Sequence, residues 1–404
     1  MNASVEALPV AHRAQLAPVP APEMVVREGI LDVPGEVSLY HGGRLTGIRV
    51  AWRLVGPANA PVVCALGGIS ANRRVFDSEE PRKGWWSEVV GPGQALDADR
   101  FRVLSFDYLG GSAETTGPGR PALHAVPDTK GSPTVSDSAD GRAPTDSTTS
   151  ANGCASPDSA TSANGRASPN YTTSAAATQF PNISTYDQAE LLVRLLNNLG
   201  LKSLRAIVGG SYGGMVALAF GERYPERVSR LVVIGAADRT HPMATAWRSV
   251  QRQILRFAVE CGRPKDGLQL ARSLAMSTYR SAEEFEARFN GAPTRDGERF
   301  TFPVERYLNA RGSDFAERHQ PESILCLSES IDLHHVDATR IFVPTTIVAI
   351  REDQLVPLTD LRGLAARLPV ARLREISSIY GHDAFLKESD QLRGIFAAAL
   401  GGAA

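Results

Sequence analysis

The sequence offers little that would indicate a disulfide scaffold or a membrane protein. Its 404 residues include only four cysteines, Cys64, Cys154, Cys261 and Cys326, and no C-x-x-C pair. Dispersed cysteines are typical of reduced thiols, so we predict a cytoplasmic protein without a disulfide framework. The first 22 residues lack a cationic-then-apolar secretory pattern, and no apolar stretch approaches the length needed to cross a bilayer.

Bulk charge and metal-binding spacing are missing as well. The formal net charge is −1, so neither nucleic acid nor an anionic membrane is an expected partner. The pair His334-His335 is not accompanied by an H-E-x-x-H or carboxylate–histidine spacing, so no metal site is predicted. Apolar residues make up 43% of the chain and charged residues 22%, as is ordinary for a globular protein with one large core or two domains.

The most informative stretch is a glycine-rich turn around Ser211. An apolar run, Leu204 to Val208, precedes Gly209-Gly210-Ser211-Tyr212-Gly213, and a helical pattern begins at Met215. A serine hydroxyl is a poor nucleophile unless it stands exposed on a sharp turn where a base can reach it. The pattern G-x-S-x-G between a strand and a helix is the nucleophile elbow of α/β-hydrolases, and it predicts that Ser211 is a catalytic nucleophile.

A serine nucleophile needs an imidazole base and a carboxylate that orients the base, and in this fold the acid precedes the histidine along the chain. Asp353 directly follows a buried-type strand, and His382 lies in the loop between the last strand and the last helix. Glu352 competes with Asp353, which is favoured by the strand before it and the Leu-x-Pro pattern after it. The predicted triad is therefore Ser211, Asp353 and His382.

The order of apolar segments predicts an α/β fold with a mostly parallel sheet, helices on both of its faces and a helical lid insertion. We expect a loose tail over residues 1–28, the core over 29–235 and 341–404, and the lid over 236–340, where strand patterns vanish. Short alternating patches near Val37 and between 48 and 55 predict antiparallel strands that lead the sheet. A capping box at Thr185-x-x-Gln188 predicts the start of a helix.

Within the core, residues 119–178 differ sharply in composition. They consist almost entirely of Ser, Thr, Ala, Gly, Pro, Asp and Asn, with a repeat of 12 residues that carries no large apolar position. Burial therefore cannot offset the entropy lost on ordering, and we predict a disordered surface loop.

Several stretches resemble the homoserine O-acyltransferases of methionine biosynthesis, which are α/β-hydrolase-fold enzymes. The resemblance spans about residues 35–400 outside the low-complexity loop. The stretches that carry it are Gly84-Trp85-Trp86, Val90-Gly91-Pro92-Gly93, Phe106-Asp107-Tyr108-Leu109-Gly110-Gly111, Phe180-Pro181-Asn182-Ile183-Ser184, Val208 to Met215, Gln251-Arg252-Gln253, Gly267-Leu268 with Ala271-Arg272 and Tyr279, and Tyr380-Gly381-His382-Asp383-Ala384-Phe385-Leu386.

The resemblance implies roles for further residues. Ser211 would accept the acyl group from a thioester, with His382 as the base and Asp353 orienting it. Backbone amides at Leu66, Gly67 and Tyr212 would form the oxyanion hole, although Leu66-Gly67-Gly68 departs from the family's usual Leu-Thr-Gly. Arg272, Tyr279 and Asp383 would bind the acceptor amino acid, with Arg272 on its carboxylate and Asp383 on its ammonium.

The resemblance also implies the substrates and the assembly. The acyl donor would be acyl-coenzyme A as a co-substrate, with no permanently bound cofactor, and the acceptor would be L-homoserine. Succinyl-CoA is slightly favoured over acetyl-CoA, and Arg73 or Arg74 is a candidate cation for the succinyl tail. L-serine as the acceptor, and a serine esterase that uses water, stay open as alternatives. The family suggests a homodimer formed through the lid.

Overall fold

The computed structural model of the protein describes residues 23–77, 84–118, 125–126 and 180–401. The predicted tail up to residue 22 and, apart from 125–126, the predicted disordered loop lie outside the described residues. The strands are β1 (Val25–Asp32), β2 (Glu36–Ser38), β3 (Arg44–Thr46), β4 (Arg49–Gly56), β5 (Val62–Leu66), β6 (Val90–Gly91), β7 (Leu96–Asp97), β8 (Arg102–Phe106), β9 (Ala125–Val126), β10 (Ala206–Gly210), β11 (Leu231–Ile234), β12 (Thr294–Asp296), β13 (Arg299–Thr301), β14 (Thr345–Ile350) and β15 (Ala371–Ile376). The helices are α1 (Thr185–Asn198), α2 (Tyr212–Arg223), α3 (Pro242–Glu260), α4 (Pro264–Tyr279), α5 (Ala282–Phe289), α6 (Pro303–Ala316), α7 (Pro321–Asp332), α8 (Leu358–Arg367), α9 (Ala384–Lys387) and α10 (Ser389–Leu400).

An eight-stranded sheet in the order β1-β4-β8-β5-β10-β11-β14-β15 forms the centre of the molecule. The six strands β8, β5, β10, β11, β14 and β15 run parallel to one another. At the other edge of the sheet, β4 pairs antiparallel with both β8 and β1. The central parallel strands β5, β10 and β11 are apolar along almost their whole length because helices cover both faces of the sheet, whereas the edge strand β15 carries the exposed residues Arg372 and Arg374. The predicted fold class is confirmed.

Alternating residues of each parallel strand belong to two separate apolar cores. On β11, Leu231 and Val233 join the core that includes α1, α2 and α8, while Val232 and Ile234 join the core that includes α10. This alternation follows from the two-residue period of a strand. The sheet is therefore a rigid platform whose strand ends cannot move independently.

Helices α3 to α7 lie between β11 and β14 in the chain, where the sequence indicates an insertion. Two of the elements found there were not predicted, namely α6 and the β12–β13 hairpin. The hairpin turns at Gly297, which has a φ of 60°, and its Asp-Gly signal is a known hairpin signature. Helix α6 lacks a strong apolar stripe, so the sequence pattern did not predict a helix there. None of the helices in the described part of the chain is both long and apolar enough to span a bilayer.

Three predictions near the edge of the sheet were wrong in detail. The tail ends before residue 28, because Val25–Asp32 pairs with β4 as an edge strand. The strand at Val37 belongs to a small three-stranded sheet, β2-β3-β9, and not to the central sheet. Residues 125–126, inside the predicted disordered loop, form β9 by backbone pairing with β3.

The start of α1 also differs from the prediction by one residue. Ser184 is the N-cap, its hydroxyl accepts a hydrogen bond from the amide of Asp187, and the Asp187 carboxylate accepts one from the amide of Ser184. The capping box is therefore Ser184 with Asp187, since a short aspartate at the third helical position closes the box as well as a glutamate does.

The turn after β10 has a strained backbone. Ser211 has a φ of 54° and is the one non-glycine residue with a positive φ among the described residues. Gly209 and Gly213 pack so closely that a Cβ on Gly209 would lie 2.2 Å from the carbonyl oxygen of Gly213. A conformation of this kind costs about 1–3 kcal/mol and persists only where its surroundings enforce it. Here the strand and the helix hold Ser211 in this conformation, and they can pack closely enough to do so because Gly209 and Gly213 have no Cβ atom.

We predict that Gly213→Ala destabilises the protein, because its Cβ would lie 2.4 Å from the carbonyl oxygen of Leu66. Overpacking of this kind costs about 1–3 kcal/mol. The matched control is Gly394→Ala in α10, where no heavy atom lies within 4 Å of the new methyl group. Calorimetry should show a lower Tm for Gly213→Ala and an unchanged or higher Tm for Gly394→Ala, and equal Tm values would contradict the packing argument.

Candidate active site

The three residues of the predicted triad meet above the carboxyl ends of β10, β14 and β15. The Nε2 atom of His382 lies 2.9 Å from the hydroxyl oxygen of Ser211, and its Nδ1 atom lies 2.7 Å from Oδ2 of Asp353. Ser211 follows β10 directly, whereas Asp353 and His382 lie on the loops after β14 and β15. An activated serine with an oriented base is the arrangement used for acyl transfer through a covalent intermediate.

The carboxylate of Asp353 is fixed in place by the backbone. Its Oδ1 atom accepts hydrogen bonds from the amides of Leu355 at 2.8 Å and Val356 at 3.0 Å, which leaves Oδ2 for the imidazole. Glu352 points elsewhere, because its carboxylate accepts hydrogen bonds from the hydroxyl of Ser377 and the amide of Ser378. The geometry therefore places Asp353, and not Glu352, beside His382.

Burial and a neighbouring charge compete to set the pKa of His382. Burial alone would lower the pKa, because it disfavours the imidazolium. The negative charge of Asp353 and its hydrogen bond oppose this effect, and the net result is a pKa above the ordinary value of 6.5. An imidazole with a raised pKa is a stronger base.

Ser211 and His382 open into a cleft with a volume of about 200 Å³. Helices α3 and α4 of the insertion form much of its wall, and the loop after β5 contributes Gly68, Ile69 and Ser70. The lining is predominantly apolar with a few charged groups, as is usual for a small-molecule site.

The residues expected to bind the acceptor lie in the same cleft. Arg272, Tyr279 and Asp383 all line it, and the Tyr279 ring lies 5.8 Å from the His382 ring. The Arg272 guanidinium stacks over the rings of Tyr279, at 5.3 Å, and Phe315, at 4.9 Å. Among the described residues no carboxylate lies within ion-pair distance of Arg272, so this cation is available to a ligand.

Asp383 is a buried carboxylate that pairs with Arg280. Burial raises its pKa, whereas the charges of Arg280 and Arg272 lower it. The side chain of Arg280 lies 3.1 Å from Asp383 and also pairs with Glu284, which ties the end of α4 to the histidine loop. The cleft thus presents a cation and an anion close enough to influence each other.

The predicted oxyanion donors are only partly in position. The amide of Tyr212 is the first of α2 and has no acceptor among the described residues, so it can face a developing oxyanion. Leu66 and Gly67 do not line the cleft, but Gly68 does. The carbonyl of Gly67 is used to hold the loop, since it accepts hydrogen bonds from the amide of Gly213 and the hydroxyl of Tyr108.

The suggestion that Arg73 or Arg74 receives the acyl tail was wrong. Arg73 is buried in an ion pair with Asp107 at 2.6 Å and also contacts Glu114, and Arg74 pairs with Glu28. Neither arginine lines the cleft. A buried arginine that is matched by carboxylates stabilises its loop and is not available to a substrate.

Sequence analysis missed a cationic side chain on the cleft wall, Arg248. Together with Trp247, Gln251 and Arg252 it forms the face of α3 that lines the cleft. The available signal was its spacing, because a residue four positions before Arg252 lies on the same face of a helix.

His334, which belongs to the pair that lacks metal-site spacing, and His319 both have protein partners. His334 is buried, its Nδ1 atom bonds to the hydroxyl of Thr185 and its Nε2 atom to the carbonyl of Ala237, and its pKa is lowered to about 3 mainly by burial. His319 stacks on Phe315, and burial lowers its pKa to about 4. Both imidazoles are neutral near pH 7.

The sheet, the strained serine turn and the hydrogen-bonded chain of three residues together define an α/β-hydrolase. A family model for the alpha/beta hydrolase fold matches residues 61–389. The structure of homoserine O-acetyltransferase from Bacillus anthracis superposes with a TM-score of 0.72 over 93% of this chain and 97% of the other, at 17% identity, which shows the shared fold.

Two relatives define the family more narrowly. A homoserine O-succinyltransferase from Xanthomonas campestris pv. campestris is 36% identical over 385 residues, covering 94% of this chain and 85% of the relative. A homoserine O-acetyltransferase from Thermus thermophilus is 35% identical over 332 residues, covering 79% of this chain and 72% of the relative. The chain belongs to the homoserine O-acyltransferase family, as its motifs predicted.

We predict that the pKa of His382 lies above 6.5 and falls in Asp353→Asn, because that change removes the negative charge of Asp353, which raises the pKa more than the remaining charge of Asp383 does. NMR titration of the histidine ring protons checks this, with the resonance assigned by its loss in His382→Gln. The control is Asp390→Asn, on the exposed first turn of α10, which should leave the titration unchanged. A pKa that is the same in Asp353→Asn and in the unmodified protein would contradict the assignment of its cause.

Proposed function

We propose that the protein transfers an acyl group from acyl-coenzyme A to the side-chain hydroxyl of L-homoserine through an acyl-Ser211 intermediate. The observation that carries the proposal is one cleft lined by Ser211 and His382, which are hydrogen-bonded in a chain with Asp353, and by Asp383 and an Arg272 that forms no ion pair with any described residue. A hydrolase that uses water has no need of a clamp for a zwitterion.

The first half-reaction acylates the serine. His382 Nε2 takes the proton from the Ser211 hydroxyl as the serine oxygen attacks the thioester carbonyl. The amide of Tyr212 stabilises the resulting oxyanion, and the loop at Gly67 and Gly68 is proposed to supply a second donor. When the carbon–sulfur bond breaks, the proton passes from His382 to the departing coenzyme A thiolate, and the acyl ester on Ser211 remains.

The second half-reaction transfers the acyl group to the acceptor. His382 now removes the proton from the homoserine hydroxyl, whose oxygen attacks the acyl ester. As the bond to Ser211 breaks, the proton returns to the serine oxygen, and O-acyl-homoserine leaves. Asp353 keeps the ring of His382 in the same orientation through both steps and stabilises the imidazolium that forms in each.

Recognition of the acceptor rests on complementary charge. Arg272 offers a planar fork for the α-carboxylate, and stacking on Phe315 and Tyr279 holds its plane in a fixed direction. Asp383 lies on the residue next to the base, where its carboxylate can hold the α-ammonium near the reacting centre. Tyr279 forms the wall between these two groups.

We further propose a homodimer formed through the insertion. Val250 and Phe257 are exposed by 48% and 68% on α3, seven residues apart and hence on the same face of that helix. Large apolar side chains grouped on one exposed face favour association with a second copy.

A covalent intermediate and a preference for homoserine over water are the testable consequences of this proposal. Mixing the enzyme with acyl-CoA alone should release about one equivalent of thiol rapidly, and steady-state rates with homoserine should give parallel lines in double-reciprocal plots. Peptide mass spectrometry should find the acyl group on Ser211, and Ser211→Ala should give neither burst nor adduct. Thiol release that is as fast without homoserine as with it would instead identify an esterase.

A further inference from the structure

The wall of the cleft contains a charged cluster that the proposed reaction does not use. Arg248 donates from Nε and Nη2 to Oδ1 of Asp332 at 2.8 and 2.6 Å. Arg252 donates from Nη1 to Oδ2 of the same carboxylate at 2.6 Å and to the hydroxyl of Ser328 at 2.9 Å. The two arginines lie one turn apart on α3, and Asp332 is the last residue of α7.

This cluster has more positive than negative charge. Two guanidinium groups share one carboxylate, and both oxygens of that carboxylate are already occupied. The side chains of Arg248, Arg252 and Asp332 are exposed by only 12%, 11% and 12%, so water screens the excess charge weakly. Among the described residues, Nη1 of Arg248 has no acceptor, and Arg248 lines the cleft. An excess cation of this kind favours an anionic ligand.

Arg248 lines the cleft that contains the proposed reacting centre, and its charge acts on that centre. The pKa of His382 reflects burial and Asp353 first, but the charge of Arg248 also acts on it and lowers it. Arg248 and His382 line the same cleft as Ser211. An anion bound at Arg248 would therefore lie in the same cleft as an acyl group on Ser211.

The charges of the two substrates can be matched to the cleft one by one. The carboxylate of homoserine takes Arg272, and its ammonium takes Asp383. The phosphates of coenzyme A suit a more exposed cation such as Arg239, which lines the cleft and has no carboxylate partner among the described residues. Arg248 and its neighbour Arg252 then remain. Arg252 donates to Asp332 and to both the hydroxyl and the carbonyl of Ser328, so Arg248 is the more available of the two, and an acetyl group has no charge for it to bind.

We propose that Arg248, held in place by Asp332 and Arg252, binds the free carboxylate of a dicarboxylic acyl group such as succinyl, and so selects the acyl donor. This inference rests on the proposed function, because it concerns the acyl group that Ser211 carries. The guanidinium would form a charge-assisted hydrogen bond with the distal carboxylate while the near end of the acyl chain is bonded to the serine.

The experiment compares succinyl-CoA and acetyl-CoA as donors, with homoserine saturating. The wild-type enzyme should prefer succinyl-CoA. Arg248→Gln should lower kcat/KM for succinyl-CoA by about 10- to 100-fold, the loss expected for one charge-assisted contact. It should change kcat/KM for acetyl-CoA little and leave the KM for homoserine as it was. Arg248→Lys, which keeps the charge, should recover part of the loss.

Two further variants separate this role from others. Arg256→Gln, one turn beyond Arg252 on α3, removes an arginine that pairs with Glu329 outside the cleft, and it should leave both donors unaffected. Arg272→Gln should raise the KM for homoserine with either donor. That pattern would distinguish Arg272, the arginine that binds homoserine, from Arg248, the arginine that binds the acyl group.

The possible results are distinct. Equal losses with the two donors in Arg248→Gln would overturn the inference and leave a structural role for the α3–α7 cluster. A wild-type enzyme that uses acetyl-CoA but not succinyl-CoA would overturn it without any variant, even if the variants do not fold, and would leave homoserine acyl transfer standing. If neither thioester supports transfer to homoserine, the proposed function itself fails.

Discussion

The backbone of Ser211 is the constraint on which the rest of the site depends. Its positive φ turns the hydroxyl out of the sheet and toward His382, and nothing in the intrinsic preference of a serine favours that conformation. The conformation is enforced from both sides, because Gly209 allows the backbone at Gly213 to pack against it and Gly213 itself packs on Leu66. The free energy that this strained turn costs is offset by burial of the strand before it and the helix after it.

The proposed reacting groups and the arginines proposed to bind substrate carboxylates have separate structural origins. Ser211, Asp353 and His382 extend from the ends of parallel strands, whose spacing is fixed by backbone hydrogen bonds across the sheet. Arg272 and Arg248 come from α4 and α3, two helices of the insertion. Under the proposed function, such a division would let the same triad act on different acyl groups, with the choice of donor set by the cations that the helices present.

The extent to which sequence predicted this structure depends on how local each feature is. The sheet and the proposed triad could be predicted because Ser211 and Asp353 each follow a short apolar run typical of a buried strand, and because His382 lies between the last strand and the last helix, in the chain order that this fold uses. The roles of Arg73 and Arg248 could not, because both depend on partners far away in the chain, Asp107 and Asp332. The charge of Arg73 is neutralised by carboxylates that include Asp107. Arg248 shares the carboxylate of Asp332 with Arg252, and its Nη1 atom has no acceptor among the described residues. Composition and residue spacing do not predict that two arginines share one distant carboxylate.

Labelling with a fluorophosphonate probe tests most directly whether the strained serine is the activated nucleophile. Such probes phosphonylate only a serine whose oxygen an adjacent base has made nucleophilic. We expect about one probe per chain, located on Ser211 by peptide mass spectrometry, and little labelling in His382→Gln. Labelling of His382→Gln at the wild-type rate, or of another residue in place of Ser211, would contradict the account.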